Sequence, residues 1–162
     1  MVEILLVMVI VGIMTAIALP SMRLHMANGD IRGVAEETRS GLELARTEAI
    51  RRNSTVRFDL TGNGWTVTAL GAGAGGIDLL VAQRPNRQTQ ITLGSDVNNV
   101  AFNGSGWTTP FGTGMTVTLR APGAGQCRPA GGVNCLNVLV AGGGLVRACD
   151  PAAAAGTTTA CN

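Results

Sequence analysis

The sequence predicts an α+β protein in which one long, kinked N-terminal helix packs on a small antiparallel β-sheet domain. Three observations lead to this prediction. The chain opens with an uncharged, mostly apolar run over residues 4–19. An apolar pattern with spacings of three and four then continues towards residue 52, as in an amphipathic helix. After residue 53 the pattern changes to a period of two, with frequent glycine turns, as in short strands.

The apolar run predicts the first half of the helix. Residues 1–19 would extend about 28 Å at 1.5 Å per residue, against a bilayer core of about 30 Å. A cleaved signal peptide, a plain membrane anchor and an assembly helix are the alternatives for this segment. Cleavage is disfavoured because Glu3 stands where a basic residue belongs and Pro20 follows closely after the small residues 16–18.

The second half of the helix is predicted to be amphipathic. Pro20 should kink the helix rather than end it, because helical periodicity resumes after it and continues until about Asn53. One face carries an apolar stripe: Ile31, Val34, Ala35, Thr38, Leu42, Ala45 and Ala49. The opposite face carries charge pairs that indicate a solvated surface: Arg32–Glu36, Arg39–Glu43, Glu48–Arg52, Glu36–Arg39 and Glu43–Arg46. The stripe therefore needs a surface to pack on, which the strands would supply.

The remaining chain predicts eight short strands separated by glycine-rich turns. Their ranges are 55–60, 65–70, 78–83, 90–94, 99–103, 115–119, 135–140 and 145–149. The first two form a hairpin, with Val56, Phe58 and Leu60 on one face. The predicted organisation is thus an apolar segment of membrane-spanning length (1–20), an amphipathic segment (21–53) and a β domain (54–162).

Composition narrows the function classes. The chain has 162 residues, a net charge of +2 and 12 basic residues, all of them Arg. Near-neutrality argues against an obligate polyanion binder, although a local Arg patch remains compatible with it. No arrangement of residues suggests catalysis: His25 is the only histidine, and the aspartates show no paired spacing. We therefore predict a protein that is not an enzyme and that carries no cofactor and no metal.

All four cysteines lie in the last 36 residues: Cys127, Cys135, Cys149 and Cys161. Zinc is the competing interpretation, but the spacings contain no close Cys pair and the only histidine is distant in sequence. Two disulfides in an oxidising compartment are favoured. Three pairings are compatible with four cysteines, and pairing of chain neighbours, Cys127–Cys135 and Cys149–Cys161, is the preferred one because it closes short loops.

This combination resembles the type IV pilin and pseudopilin superfamily. The resemblance is carried by Val2-Glu3-Ile4-Leu5-Leu6-Val7 and by Ala16-Ile17-Ala18-Leu19-Pro20-Ser21. Three later segments resemble the GspH/FimT-type branch of minor pilins and minor pseudopilins: Leu44-Ala45-Arg46-Thr47-Glu48-Ala49-Ile50-Arg51-Arg52-Asn53, Phe102-Asn103-Gly104-Ser105-Gly106, and the glycine turn before Leu145-Val146-Arg147-Ala148-Cys149-Asp150.

The resemblance implies a function in docking rather than catalysis. It implies that Glu3 meets the N-terminal amine of a neighbouring subunit inside an apolar filament core, where pairing relieves the penalty on a buried carboxylate. It also implies that Pro20 is the kink position of the family. Its implied partners are other pilin or pseudopilin subunits and the bacterial inner membrane, which the chain would cross once with its C-terminal domain in the periplasm.

The sequence departs from the family at two places. Family precursors carry a basic leader ending in Gly, cut by a prepilin peptidase before a Phe that becomes methylated, and neither residue precedes Glu3 here. We expect that the sequence starts at an internal Met or has been trimmed; an unprocessed product is the alternative. Secondly, DNA-binding relatives use a Gly-Arg-x-Arg motif, which here reads Gly144-Leu145-Val146-Arg147. DNA binding by Arg147, Arg128 and Arg120 is therefore a candidate but is not favoured.

The sequence thus predicts a minor pilin of a type IV pilus that primes or caps filament assembly, with consequences for motility, adhesion or DNA uptake. A minor pseudopilin of a type II secretion system is the alternative, and a DNA-binding competence pilin is the second.

Overall fold

A computed structural model describes residues 2–86 and 90–161, without the side chains of residues 17–21. Its largest element is helix α1, Val2–Arg52. Nine strands follow in the described residues: β1 Val56–Thr61, β2 Gly64–Ala69, β3 Leu79–Arg84, β4 Thr92–Ser95, β5 Asn99–Phe102, β6 Thr108–Thr109, β7 Met115–Arg120, β8 Leu136–Val140 and β9 Val146–Cys149. Helix and strands are segregated along the chain, so the predicted α+β class is confirmed.

The strands form two antiparallel sheets, where the sequence predicted one. The five-stranded sheet has the order β3-β2-β1-β5-β6, and the four-stranded sheet has the order β4-β7-β8-β9. The chain first leaves the five-stranded sheet after β3, because β4 pairs with β7 of the other sheet (Thr92 opposite Arg120). Pro85 directly follows β3 and cannot donate a ladder hydrogen bond. The alternation in a sequence identifies each strand's faces but not its neighbours, which is why the second sheet was missed.

Strand positions agree closely with the prediction, with one omission. Seven of the predicted strands lie within one residue of β1 to β3, β5 and β7 to β9, while the strand predicted at 90–94 begins two residues later, at Thr92. The omitted strand is β6, whose two residues pair with Ala101 and Phe102. Two residues are too short to show a periodicity, so no sequence pattern could identify it.

The apolar stripe of α1 forms one side of the core. Its buried members are at most 2% exposed: Ile31, Ala35, Thr38, Leu42, Ala45 and Ala49, joined by Ala27. Val34 packs against this core from a half-buried position. The stripe contacts strands of both sheets, with β1, β2 and β5 on one side and β7, β8 and β9 on the other. Helix α1 is therefore the element that joins the two sheets into one core.

The β1–β2 hairpin supplies the facing surface. Val56 and Phe58 are fully buried, and Leu60 packs against the core from a half-buried position, as their predicted common face requires. Phe58 stacks on Trp65 with ring centroids 5.5 Å apart. The indole lies so close to the helix that a Cβ at Gly41 would be 2.7 Å from Trp65 Cζ2. A glycine at position 41 is thus required for the close packing of α1 on this hairpin.

Candidate functional site

The first half of α1 is an apolar surface that none of the described residues of the β domain covers. We call residues 2–16 the uncovered half. Its large side chains are between 47% and 79% exposed: Val2, Ile4, Leu5, Leu6, Val7, Met8, Val9, Ile10, Val11, Ile13 and Met14. An exposed apolar surface of this extent is typical of a site for binding protein or lipid. Within the part of the chain that the structure describes, no helix reaches the length and apolarity required to cross a membrane.

Glu3 and Pro20 are the predicted assembly residues. Glu3 lies in the first turn of α1, where its carboxylate is exposed. Its negative charge interacts favourably with the positive end of the helix dipole. The helix continues through position 20, but the side chain of Pro20 lies outside the described residues. Glu3 is therefore the one charged side chain in the uncovered half. The assembly roles of both residues, and the kink at Pro20, stay predictions.

The second half of α1 is fixed to the β domain by an ion pair between a buried arginine and a glutamate whose side chain is 49% exposed. Arg84 at the end of β3 is 7% exposed, and its Nε donates to Glu37 Oε2 at 2.8 Å. Its Nη1 donates to the backbone carbonyl of Asn63 in the β1–β2 turn. A guanidinium shared between a carboxylate and a carbonyl joins the helix, the turn and β3. Sequence reasoning missed this pair because its partners are 47 residues apart and have no local spacing signal.

The C-terminal end of α1 carries a carboxylate held between two arginines. Arg51 donates to Glu48 at 2.6 Å and Arg52 at 2.7 Å, so the predicted Glu48–Arg52 pair is present with a second partner. Hydrogen bonds from Arg51 and then Arg52 lower the pKa of Glu48 to about 2. The arginines also place positive charge at the negative end of the helix dipole. Arg39 forms the predicted pairs with Glu36 and Glu43.

Arg46 does not form its predicted ion pair and instead connects α1 to a turn of the β domain. It was predicted to pair with Glu43, but its Nε donates to the carbonyl of Gly106 at 3.0 Å instead. Gly106 adopts φ +76 in the turn that precedes β6, and Gly144 adopts φ +79 in the turn that precedes β9. A Cβ on Gly144 would overlap the Gly106 carbonyl oxygen and lie 3.2 Å from Arg46 Nε. We call this contact of α1 with two turns the glycine junction.

The glycine junction also explains three segments of the sequence resemblance. Arg46 belongs to the first segment, Gly106 to the second and Gly144 to the third. Asn103 organises the turn that contains Gly106, because its Oδ1 accepts hydrogen bonds from the N–H groups of Ser105 and Trp107. Residues far apart in sequence therefore meet at one place, where the backbones of Gly106 and Gly144 approach closely and the Arg46 side chain donates to the Gly106 carbonyl.

Both disulfides join chain neighbours, Cys127 with Cys135 and Cys149 with Cys161. This is the pairing that the sequence analysis preferred over the other two. The described residues bring together no group of three or more His, Cys, Asp or Glu side chains that could hold a metal ion.

The three candidate DNA-binding arginines do not form one cluster. Arg147 of β9 is opposite Leu139 of β8, which is opposite Thr116 of β7, four residues before Arg120. Arg147 and Arg120 both lie on the outer face of the four-stranded sheet. Four residues along a strand and two strand spacings separate them, or about 16 Å. Arg128 lies in the loop closed by the first disulfide, where Nη1 donates to Asn134 at 2.9 Å. DNA binding stays a prediction, and these positions do not supply a single phosphate clamp.

Comparisons with known proteins agree with one another. A family model described as Type II transport protein GspH matches residues 34–144. The fold is similar to the type IV minor pilin FimU of Pseudomonas aeruginosa, with TM-score 0.59 and 17% identity over 74% of this chain and 87% of FimU. It is also similar to the minor pseudopilin EpsH from the Type 2 Secretion System of Vibrio cholerae, with TM-score 0.55 and 16% identity over 74% of this chain and 95% of EpsH.

A third similar structure is that of Escherichia coli GspH, with TM-score 0.55 and 15% identity over 81% of this chain and 94% of that protein. At these identities the three structures establish the fold alone. A search of curated protein sequences finds no match. The family model covers α1 from residue 34 onward, strands β1 to β8 and the glycine junction, and it ends before β9 and the second disulfide.

Proposed function

The chain belongs to the GspH family of minor pilins and pseudopilins, and we propose that it is a minor pilin that primes or caps assembly of a type IV pilus. Members of this family are structural subunits of envelope-associated filaments. The chemistry required of such a subunit is docking between apolar helices. We propose accordingly that the chain acts through contacts with other subunits and carries out no catalysis of its own.

The uncovered half of α1 is the observation that carries this proposal. Each exposed apolar side chain forgoes about 25 cal/mol per Å² that burial would contribute. The β domain does not reach this surface, whereas it buries every member of the stripe in the second half except the half-buried Val34. The complementary surface must therefore come from outside the chain. We propose that residues 1–20 rest in the inner membrane and later pack against the same segment of neighbouring subunits.

The remaining organisation follows from this assignment. Residues 21–53 would connect the membrane or filament core to the β domain, and residues 54–162 would lie in the periplasm, where the two disulfides are stable. A longer precursor would be trimmed by a prepilin peptidase and methylated at its new N-terminus. Glu3 would then pair with the N-terminal amine of the adjoining subunit, because an unpaired carboxylate at the apolar contact is penalised.

A minor pseudopilin of a type II secretion system is the second candidate. The description of the matching family, Type II transport protein GspH, favours it. The disulfide that closes residues 149–161 favours the pilus, because a C-terminal disulfide loop is more typical of pilins. A DNA-binding competence pilin is less favoured, because Arg120 and Arg147 are separated on the sheet. Loss of salt-dependent retention on duplex DNA in Arg147→Ala would support that function.

Deletion of the gene tests the choice between pilus and pseudopilus. Surface filaments are sheared and counted, and secreted folded proteins are measured in the medium of the same cultures. We expect fewer or no surface filaments and normal secretion, with filament number restored by the wild-type gene. Loss of secretion with normal filament number would overturn the pilus assignment in favour of the pseudopilus. Normal filaments and normal secretion together would overturn both.

A further inference from the structure

The two disulfide loops contact different faces of the molecule. The first loop, residues 127–135, lies against α1, and we call it the strap. The second, residues 149–161, follows β9. Val138 and Val140 of β8 face the core, so Cys149, paired with Asn137, faces the opposite side of the sheet. Cys149 is nonetheless only 3% exposed because the second loop folds over that outer face. The second loop therefore provides a matched control for the strap.

The strap is a compact structure in which the disulfide closes a ring of backbone hydrogen bonds. Arg128 N–H donates to the Val133 carbonyl at 2.9 Å, and Gly131 N–H donates to the Cys127 carbonyl at 3.0 Å. Val133 N–H donates to the Gln126 carbonyl at 3.2 Å. These bonds press Val133, only 1% exposed, into the core. The position of the strap therefore depends on both its covalent closure and the burial of one valine.

The strap contacts the part of α1 that adjoins the uncovered half. We call residues 22–31 the proximal segment. The N–H of Asn134 donates to Asn28 Oδ1 at 2.8 Å. Gly132 sits so close to Leu24 that a Cβ there would be 2.9 Å from Leu24 Cδ2. Ala27, one turn from Leu24, is 2% exposed. The strap thus contacts the proximal segment at two points, the close approach of Gly132 to Leu24 and the Asn134–Asn28 hydrogen bond, on either side of the buried Ala27.

We propose that the strap holds the proximal segment of α1 against the β domain, and that closure of Cys127–Cys135 is required for the subunit to enter a filament. The second part rests on the function proposed above. The direction in which the uncovered half leaves the β domain is set by the proximal segment. If the proximal segment is detached from the β domain, the angle between the uncovered half and the β domain is no longer fixed. The apolar helices of neighbouring subunits then cannot align with it in one register.

The chemistry of closure is ordinary thiol–disulfide exchange. Two cysteine thiols lose two protons and two electrons to a disulfide-bonded protein oxidant, which leaves as a dithiol. The new S–S bond reduces the conformational freedom of the open loop and so favours the folded strap. An open loop would leave Val133 and the Asn134–Asn28 hydrogen bond without covalent support. Closure outside the reducing cytoplasm would therefore precede assembly.

Hydrogen exchange of the full chain in detergent micelles tests the strap directly. The double variants Cys127→Ser/Cys135→Ser and Cys149→Ser/Cys161→Ser are compared with the wild type by mass spectrometry. We expect amides of residues 22–31 to exchange at least tenfold faster in the first variant and at the wild-type rate in the second. Exchange in residues 56–69 should stay unchanged in both, which reports that the core remains folded. Equal exchange of residues 22–31 in all three proteins would overturn the proposal.

A second pair of variants leaves the cysteines in place, in case the first double variant does not fold. Asn28→Ala removes the acceptor for Asn134 N–H, whereas Asn28→Asp keeps an acceptor oxygen at the same position. We expect faster exchange of residues 22–31 in Asn28→Ala and restoration towards the wild-type rate in Asn28→Asp. Wild-type exchange in Asn28→Ala would contradict a holding function for the strap.

Incorporation into sheared filaments tests the second part of the proposal. We expect Cys127→Ser/Cys135→Ser to reach the membrane but to be depleted at least tenfold from filaments, with Cys149→Ser/Cys161→Ser less affected. Normal incorporation of the first variant would overturn the requirement for closure. Absence of the wild-type chain from filaments would instead contradict the proposed function, while the exchange experiment would still decide whether the strap holds α1.

Discussion

Large apolar side chains in the uncovered half of α1 are 47–79% exposed, whereas the buried members of the stripe in its second half are at most 2% exposed. Both halves belong to one continuous helix. The difference is that the β domain reaches only the second half. Burial in the second half is provided by the β domain, while under the proposed function burial of the first half would be provided by a membrane or by other subunits. One helix therefore serves folding at one end and association at the other.

The largest effect that separates the two halves is expected from truncation of a buried leucine. Leu42→Ala removes a fully buried side chain, so the free energy of unfolding of the β domain should fall by about 2–5 kcal/mol. Leu5→Ala removes a side chain that is 66% exposed and should leave that free energy within about 0.5 kcal/mol. Denaturant unfolding of the full chain in detergent measures both. A comparable loss in Leu5→Ala would mean that the β domain depends on the first half.

The glycine junction provides the next comparison. Gly144→Ala places a Cβ against the Gly106 carbonyl at φ +79, and it should reduce the free energy of unfolding by about 2–4 kcal/mol. Gly143→Ala, in the same turn, meets nothing within 4 Å and should change it by less than about 0.5 kcal/mol. Thermal unfolding of the two variants measures the difference. Equal stability would show that the junction does not require close backbone approach.

Two adjacent glutamates on α1 separate an ion pair with a buried arginine (Arg84) from one with an exposed arginine (Arg39). Glu37→Ala leaves Arg84 buried without its carboxylate and should cost about 1–3 kcal/mol of unfolding free energy. Glu36→Ala removes a pair at 3.8 Å whose carboxylate side chain is 67% exposed, and it should cost about 0.5 kcal/mol or less. Urea denaturation compares them. A larger loss in Glu36→Ala would contradict the assignment of Arg84 as the anchor of α1.

The smallest effect concerns the pH dependence of stability. The pKa of Glu48 is about 2 in the folded protein and near 4.5 without its partners. The paired carboxylate therefore makes its full contribution to the free energy of unfolding above pH 4.5. This contribution should be lost as the pH falls from 4.5 to 2, because the unfolded state then binds the proton first. Glu48→Gln should flatten the stability profile in this window, measured by urea unfolding at each pH. An unchanged slope would mean that solvent already screens the pair.

The second half of α1 was predictable because burial leaves a local trace in the sequence. Ile31, Leu42 and Ala49 recur at helical spacing, and all three are buried. The β1–β2 hairpin was predictable for the same reason, since Val56 and Phe58 alternate with polar residues. The preferred disulfide pairing followed from short loop lengths. In each case the residues that interact are close in sequence or share one period.

What could not be predicted depends on contacts between distant residues. Arg46 carries a helical spacing that indicates Glu43, yet the carbonyl of Gly106, 60 residues away, is its partner. The Glu37–Arg84 pair and the division into two sheets have the same origin, because no periodicity encodes which strands become neighbours. The glycines at 106 and 144 were visible only as turn signals, and their close contact required the fold.

The central claim is that the uncovered half is an assembly surface whose register is set by Glu3. The most direct test is quantitative mass spectrometry of sheared filaments and of membranes from cells producing the wild type, Glu3→Ala or Glu36→Ala, the last being an exposed carboxylate on the covered half. We predict that all three proteins reach the membrane and that only Glu3→Ala is depleted from filaments, by at least tenfold relative to the wild type. Incorporation of Glu3→Ala at the wild-type level would contradict the account.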